Sequence, residues 1–455
     1  MSSKEHQEGS ISVLYGRGEW TEIGGSATDN NEDKEKIERK KISIRQFLKD
    51  LVDSDALVVL AGSGASMGIR NKTGSEDNKA PSMGDLYGAI SEHESFQCIA
   101  GIQNNTSSHD VEGTQNAGNC HDKNDQLLSS EALNSKNIEK IISEAELRVK
   151  VELDDDKLRS LKNFVNFAAR TVWDKCNFIN NESDLSTHQA FLRKIGRRST
   201  RLQRTQIFTT NYDLAFETAA ESARFHLIDG FGFGHRVFDG ASFDVDFVRR
   251  NSNEPPTLEP NVVKLLKMHG SVDWRYEDGR VVRDPSRVPS DEATNDLVLI
   301  YPSSTKYQSS YKEPYLEFMS RFQLALRQRN LGLIVVGFGF NDDHITAPIM
   351  AALRSNVGLR AVFVSPDIKV QTGDSCNPKG NNEGKRSKED HKNVAFATID
   401  SLIKWGDNRL ALINCTFDDF VRLLPQSEVR DEREIHAELI EKLGKIYLNG
   451  ASDGQ

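Results

Sequence analysis

The stretch LGLIVVGFGFNDDHITAPIMAALRS, residues 331–355, decides the fold. Its first half is an unbroken apolar run, which suits a strand buried on both faces, and such strands belong to parallel sheets covered by helices. The glycines Gly337 and Gly339 then break the run. Asn341, Asp342 and Asp343 supply the polar, acidic residues that favour a helix start, and HITAPIMAALRS continues as a helix.

Outward from this stretch the same order repeats. LVVLAG (57–62), TQIFTT (205–210), VVKLLKMHG (262–270) and LRAVFVSP (359–366) read as strands, and YDLAFETAAE (212–221) and YLEFMSRFQLALRQR (315–329) as helices between them. Strands alternating with helices predict an α/β fold built on a doubly wound, mostly parallel, Rossmann-like sheet. Before the first of these strands, ISIRQFLKDLVDSD puts Ile44, Phe47, Leu48 and Leu51 on one helical face. NIEKIISEAELRV (137–149) and LRSLKNFVNFAARTVWDKCNFI (158–179) carry apolar residues at helical spacing, so a helical insertion is expected over about 126–200.

Residues 1–40 are polar and then densely charged, and are expected to form a flexible arm ahead of a folded unit spanning 41–425. The stretches at about 101–125 and 371–390 are polar and aperiodic, and read as loops. Residues 426–455 include EREIHAELIEKLGKIYLNG, whose spacing predicts a C-terminal helix and tail that pack on the chain's own core or on a neighbour.

Hydrophobic residues make up 37% of the chain and charged residues 28%, which excludes an intrinsically disordered protein. No apolar run approaches the ~20 residues of a membrane helix, and the start MSSKEHQEGS lacks the apolar core of a secretory signal, so a cytoplasmic protein without membrane contact is expected. The net charge of -10 argues against direct nucleic-acid binding, and the basic run Arg193–Arg204 reads as a solvated helix end. The five cysteines lie far apart with no C-x-x-C pair, so no metal site is expected.

Four segments carry candidate chemistry, each at the end of an apolar strand. Gly62-Ser63-Gly64-Ala65-Ser66 offers close backbone approach to a phosphate, aided by the start of a following helix, although Met67 spoils the full G-x-G-x-x-G pattern. Asn211, Tyr212 and Asp213 open a helix, either as caps or as ligand contacts beyond the carboxyl ends of the strands. His269 projects from the same sheet edge and suits proton transfer near neutral pH, with Gly270 and Ser271 leaving room for a ligand. Gly337 and Gly339 repeat the glycine turn, with Asp342 and Asp343 as helix-start charges.

The ordered set GSGAS, TTNYD, KMHGS and GFGFNDDHI, from about Leu57 to Pro366, resembles the sirtuin family, in particular its bacterial branch associated with defence against phage. The resemblance implies NAD as substrate. It implies that Gly62, Ser63, Gly64 and Ser66 line the dinucleotide phosphates, that Asn211 and Asp213 hold the nicotinamide ribose, and that His269 is the catalytic histidine. Gly337, Gly339 and Asn341 would lie by the adenosine half, with Ser365 completing that wall. Residues 41–425 would then form a sirtuin-like NAD-binding catalytic domain. It further implies a homo-oligomer, or a partner such as a HerA-type ATPase.

The chain departs from classical sirtuin deacylases because Ser271–Asn330 contains no cysteine and hence no paired-cysteine zinc module. Arg70 is present without the usual neighbours of the classical cofactor loop. These departures favour an NAD glycohydrolase that releases nicotinamide and ADP-ribose and depletes NAD in antiviral defence. A deacylase or ADP-ribosyl transferase, and a non-catalytic nucleotide-binding scaffold for an ATPase, are the alternatives. Nicotinamide leaves NAD neutral, so no acid is needed to protonate it. Asn211 would fix a water or ribose hydroxyl and His269 would accept the proton.

Overall fold

A computed structural model of the chain describes residues 11–24, 31–73, 79–102, 126–232, 236–250, 252–284, 297–299, 313–372 and 393–426. Its strands, in chain order, are β1 (Ser12–Tyr15), β2 (Thr21–Glu22), β3 (Ala56–Ala61), β4 (Gln206–Thr209), β5 (His226–Ile228), β6 (Val248–Arg249), β7 (Thr257–Leu258), β8 (Val262–Lys267), β9 (Gly270–Glu277), β10 (Arg280–Arg283), β11 (Leu297–Leu299), β12 (Leu331–Val336), β13 (Leu359–Val364) and β14 (Leu410–Asn414). The helices are α1 (Asn31–Val52), α2 (Met83–Ser91), α3 (Glu94–Ala100), α4 (Ser130–Asn134), α5 (Ile138–Val151), α6 (Asp155–Cys176), α7 (Ser186–Gly196), α8 (Ala215–Ser222), α9 (Tyr315–Leu326), α10 (Asp343–Ser355), α11 (Ile368–Thr372), α12 (Val394–Lys404) and α13 (Phe417–Leu423).

Nine strands form one sheet in the order β2-β1-β14-β13-β12-β3-β4-β8-β5. From β14 to β5 every neighbouring pair is parallel. The alternation along β3 shows why the apolar run is needed. Leu57, Val59 and Ala61 enter one core, shared with α1, α7, α8 and α13, while Val58 and Leu60 enter the other, shared with α9, α10 and α12. Both faces are therefore covered, as the doubly wound pattern requires. The chain runs from β3 outward through β4 to β8, then returns to lay β12 on the other side of β3, so the order reverses between β3 and β12. Ligands of open α/β sheets bind beyond the carboxyl ends of the strands at such a reversal.

The helical insertion forms a third core. Leu86, Ile90, Phe96, Ile142, Phe164 and Val172 pack with Tyr212 and Val272, which follow β4 and start β9, so the insertion covers the carboxyl edge of the sheet. The Trp173 indole donates to the Val272 carbonyl at 2.7 Å and ties α6 to β9.

Two expectations are corrected. The polar arm supplies two strands and the start of α1: β1 pairs antiparallel with β14 and with β2, and Val13 and Leu14 are fully buried. β1 has four residues, SVLY, too short a strand to stand out among polar neighbours, and its partner β14 lies near the other end of the sequence. The final helix, strand and helix group closes at Leu423, and the rest of the expected C-terminal helix, residues 427–455, lies outside the described residues, as do 1–10, most of the 101–125 loop and 373–392. The basic run is not simply solvated: Arg198 is buried and donates to the Ser54 carbonyl, Arg204 pairs with Asp246 at 2.9 Å, and Lys194 caps α13 through the Val421 and Leu424 carbonyls. No helix among the described residues is long and apolar enough to cross a membrane.

Candidate functional site

β3, β4, β8 and β12 end along one edge, and the segments that follow them meet there. Behind β3, a single 3-10 turn, Ser63–Ala65, stands where a helix was expected directly after the glycines. The glycines serve a closer purpose. A Cβ on Gly62 would sit 2.5 Å from the Gly337 carbonyl oxygen, and one on Gly64 would sit 2.6 Å from the Gly337 Cα. Gly337 itself has φ of +62°, where side chains are disfavoured. The loops after β3 and β12 thus touch backbone to backbone, with the Gly64 amide donating to the Gly337 carbonyl at 3.0 Å. Ser63 and Asn341 are exposed, and Ser365 is half-buried after β13.

After β4, the Asn211 amide donates to Ser66 Oγ at 3.0 Å, which locks the β4 segment onto the β3 segment. Asp213 lies just before α8, its Oδ1 accepting the Ala215 amide at 3.0 Å, and also hydrogen-bonds Ser66. Burial raises the Asp213 carboxyl, against a lowering pull from Lys267. Lys267, the last residue of β8, is buried and donates to the carbonyls of Tyr212 (3.2 Å) and Asp213 and to Glu217 Oε1 (2.9 Å). It pins the turn that carries Asn211. In the sequence it is one of two lysines in an otherwise apolar strand and carries no local mark of this role.

His269 follows β8 and is only 4% exposed. Its Nε2 lies 3.1 Å from Asp342 Oδ2, and its Nδ1 lies 3.7 Å from Glu139 Oε1 in the first turn of α5. The Tyr212 hydroxyl donates to the same Glu139 oxygen at 3.3 Å. Burial pulls the imidazole down, but the Asp342 hydrogen bond and then Glu139 outweigh it and push the ring up to about 9. The Asp342 carboxyl is correspondingly lowered: burial raises it, and His269 more than offsets that. The balance favours the protonated ring, which stands between Asp342 and Glu139.

Asp342 also caps α10, accepting the His344 amide at 2.9 Å. The turn before it is shaped by Phe338 and Phe340, both buried. Phe340 adopts φ of +55°, a conformation rare for a bulky residue, and packs on Phe363 and Phe396. The His269–Asp342 contact joins the ends of β8 and β12, between which β4 and β3 lie. At a strand spacing of about 4.8 Å it spans roughly 14 Å of sheet edge.

Of the candidates, Ser66, Asn211 and Asp213 therefore form one network and His269 a second, with Asp342 and Glu139. Ser271 is not open to a ligand as expected: it is fully buried and donates to Asp273 Oδ1 at 2.5 Å. Arg70 folds back onto the carbonyls of Met67 and Ile69. Three acidic side chains, Glu139, Asp213 and Asp342, line the edge. That acidic set suits a ligand that carries or develops positive charge.

No curated protein matches the chain. Residues 205–376, which run from the start of β4 past α11 and include Asn211, His269 and Asp342, match the family model described as SIR2-like domain. Over that stretch the chain is similar to sirtuin-like domains.

Proposed function

We propose that the protein is an NAD glycohydrolase that cleaves the bond between nicotinamide and ribose, with Asn211 and His269 at the reacting centre. The observation that carries this reading is the pairing of a buried histidine with a carboxylate at the carboxyl edge, beside an asparagine whose amide is fixed by Ser66. A nucleotide scaffold needs no such histidine. An enzyme that moves a proton does, and Asp342 orients the ring as its partner.

In this reaction the bond from C1′ to the pyridinium nitrogen breaks, and its electron pair leaves with nicotinamide. A water oxygen bonds to C1′, and the water's proton passes to His269. Neutral nicotinamide needs no general acid, so one base suffices. Positive charge develops on the ribose as the bond breaks, and Asp342 and Asp213 are the carboxylates near it. Ser63, Asn341 and Ser365, with the backbone of the two glycine turns, would hold the rest of the dinucleotide. His269 accepts a proton only in its neutral form, so binding must loosen its pairing with the carboxylates.

The test is NAD consumption by purified protein, with products separated by chromatography. Nicotinamide and ADP-ribose are expected from the wild type. His269→Ala is expected to lower the rate by about 10²- to 10⁴-fold, with the fold kept. Asn211→Ala should lower turnover while retaining part of the nucleotide affinity. Normal cleavage by His269→Ala would remove the histidine from the chemistry. Depletion of NAD is also the output expected of the defence branch that the motif order resembles, and a self-assembled or partner-bound form would hold it in check.

A further inference from the structure

The ring of His269 faces a carboxylate from each of its two nitrogens, and the two come from different layers of the molecule. Asp342 belongs to the sheet layer and is fixed twice, by His269 on one oxygen and by the His344 amide on the other. Glu139 belongs to the helical insertion. It stands in the first turn of α5, its side chain is 16% exposed, and it is held by the Tyr212 hydroxyl at 3.3 Å and by its approach to Nδ1 at 3.7 Å. A neutral imidazole has one donor and one acceptor nitrogen, so only the protonated ring can satisfy both carboxylates together. Of the two, Glu139 is the more loosely held.

We propose that Glu139 is a positioning residue for His269, through which the helical insertion sets whether the ring holds its second proton. This rests on the reading of His269 as proton acceptor. With Glu139 in place the ring stays charged and cannot accept a proton. When α5 carries the carboxylate away from Nδ1, Asp342 alone orients a ring that loses its proton more easily, and the base is armed. The insertion thereby couples its own packing to the reacting centre without touching the substrate.

Other charged and titratable groups face this centre and stay constant in the comparison. Tyr212 stands beside the ring after β4, with ring centroids 6.3 Å apart. Cys176 of α6 senses Glu139, Asp213 and Lys267, and Tyr315 at the start of α9 senses Asp342. Burial raises the Cys176 thiol, so it stays uncharged through the working range.

The experiment follows the His269 ring by NMR of full-length protein labelled at histidine, with the signal assigned from its loss in His269→Gln. In Glu139→Gln the titration midpoint is expected to fall by about one unit or more, since an opposite charge within ~4–6 Å is removed. Glu139→Asp, which keeps the charge on a shorter arm, is expected to restore part of the shift. The rising limb of the pH profile for NAD cleavage should move to lower pH by the same amount. An unchanged midpoint in Glu139→Gln overturns the proposal, whatever happens to cleavage. A shifted midpoint in protein that cleaves no NAD at any pH would leave Glu139 in control of the ring and would refute the glycohydrolase instead.

Discussion

Replacing Lys267 by Met tests the anchor beneath Asn211. The ammonium group has three partners: the Tyr212 carbonyl at 3.2 Å, the Asp213 carbonyl, and Glu217 Oε1 at 2.9 Å. Methionine fills most of the same volume, so the packing loss is small. The electrical loss is not. Removing one member of a buried ion pair costs ~3–5 kcal/mol, because the other charge stays behind. Glu217 is 23% exposed at its side chain, so water relieves it in part and the low end, ~3 kcal/mol, applies. Burial already raises the Glu217 carboxyl against the pull of Lys267, so without the lysine it takes up a proton more readily. Urea unfolding followed by circular dichroism at pH 7.5 should show that loss, and Lys267→Met/Glu217→Gln should recover part of it by removing the stranded charge. NAD cleavage should remain impaired in both, because the carbonyls that hold the Asn211 turn have lost their donor in each. Single-variant stability within ~0.5 kcal/mol of wild type, or a double variant less stable than the single, would refute the reasoning.

Gly64→Ala forces a methyl group to 2.6 Å from the Gly337 Cα, so the two loops must part. It is expected to lower stability by ~1–3 kcal/mol and weaken nucleotide binding by calorimetry, whereas Gly68→Ala, with nothing within 4 Å, should leave both nearly unchanged. Stability should also fall on both sides of neutrality, for opposite reasons. His188, wedged between Phe216 and Phe417 with no hydrogen-bond partner for either nitrogen among the described residues, is pushed by burial from 6.5 down to about 4. The unfolded chain therefore takes up that proton first, and on the order of 3 kcal/mol is lost as pH falls from 6.5 through 4; His188→Phe should flatten this acid limb in pH-dependent urea unfolding. His269 is raised from 6.5 to about 9, so its contribution is full below 6.5 and lost as pH rises through 9, and His269→Gln should flatten the alkaline limb.

The frame of the molecule was legible because its signals are local. Short apolar runs such as LVVLAG or LGLIVV, closed by glycine, suit strands covered on both faces, and the sheet is built from those runs. Asn211 and His269 were legible by place, each just beyond such a strand. Glu139 lies in NIEKII, a segment that itself belongs to the sirtuin resemblance, but its contact with His269 was not legible, since it is an ordinary polar residue in the first turn of an amphipathic helix and meets the ring only because the insertion folds over the sheet edge. The glycines were legible as glycines, but the reason for them was not. Gly62 and Gly64 make room for Gly337, a contact set by the pairing of β3 with β12 and joining Gly64 to a residue 273 positions further along the chain. Lys267 stayed hidden because its partners are mostly backbone carbonyls, which leave no trace in sequence.

Asp342 joins what was read with what was missed. As the residue that starts α10 it was expected to be a cap, and it is one, but a cap alone would not require a charge: Asn serves as well at that position. Only a carboxylate can pair with an imidazolium. Its second oxygen is turned back across the ends of β3 and β4 to His269, and the first is held by the helix. The helix start thus gives the carboxylate a fixed direction, and the fixed direction gives His269 one rigid partner. Against that rigid partner the looser one, Glu139, becomes the variable. A site in which both carboxylates were fixed could hold a proton but could not release it on demand; one fixed and one movable can do both.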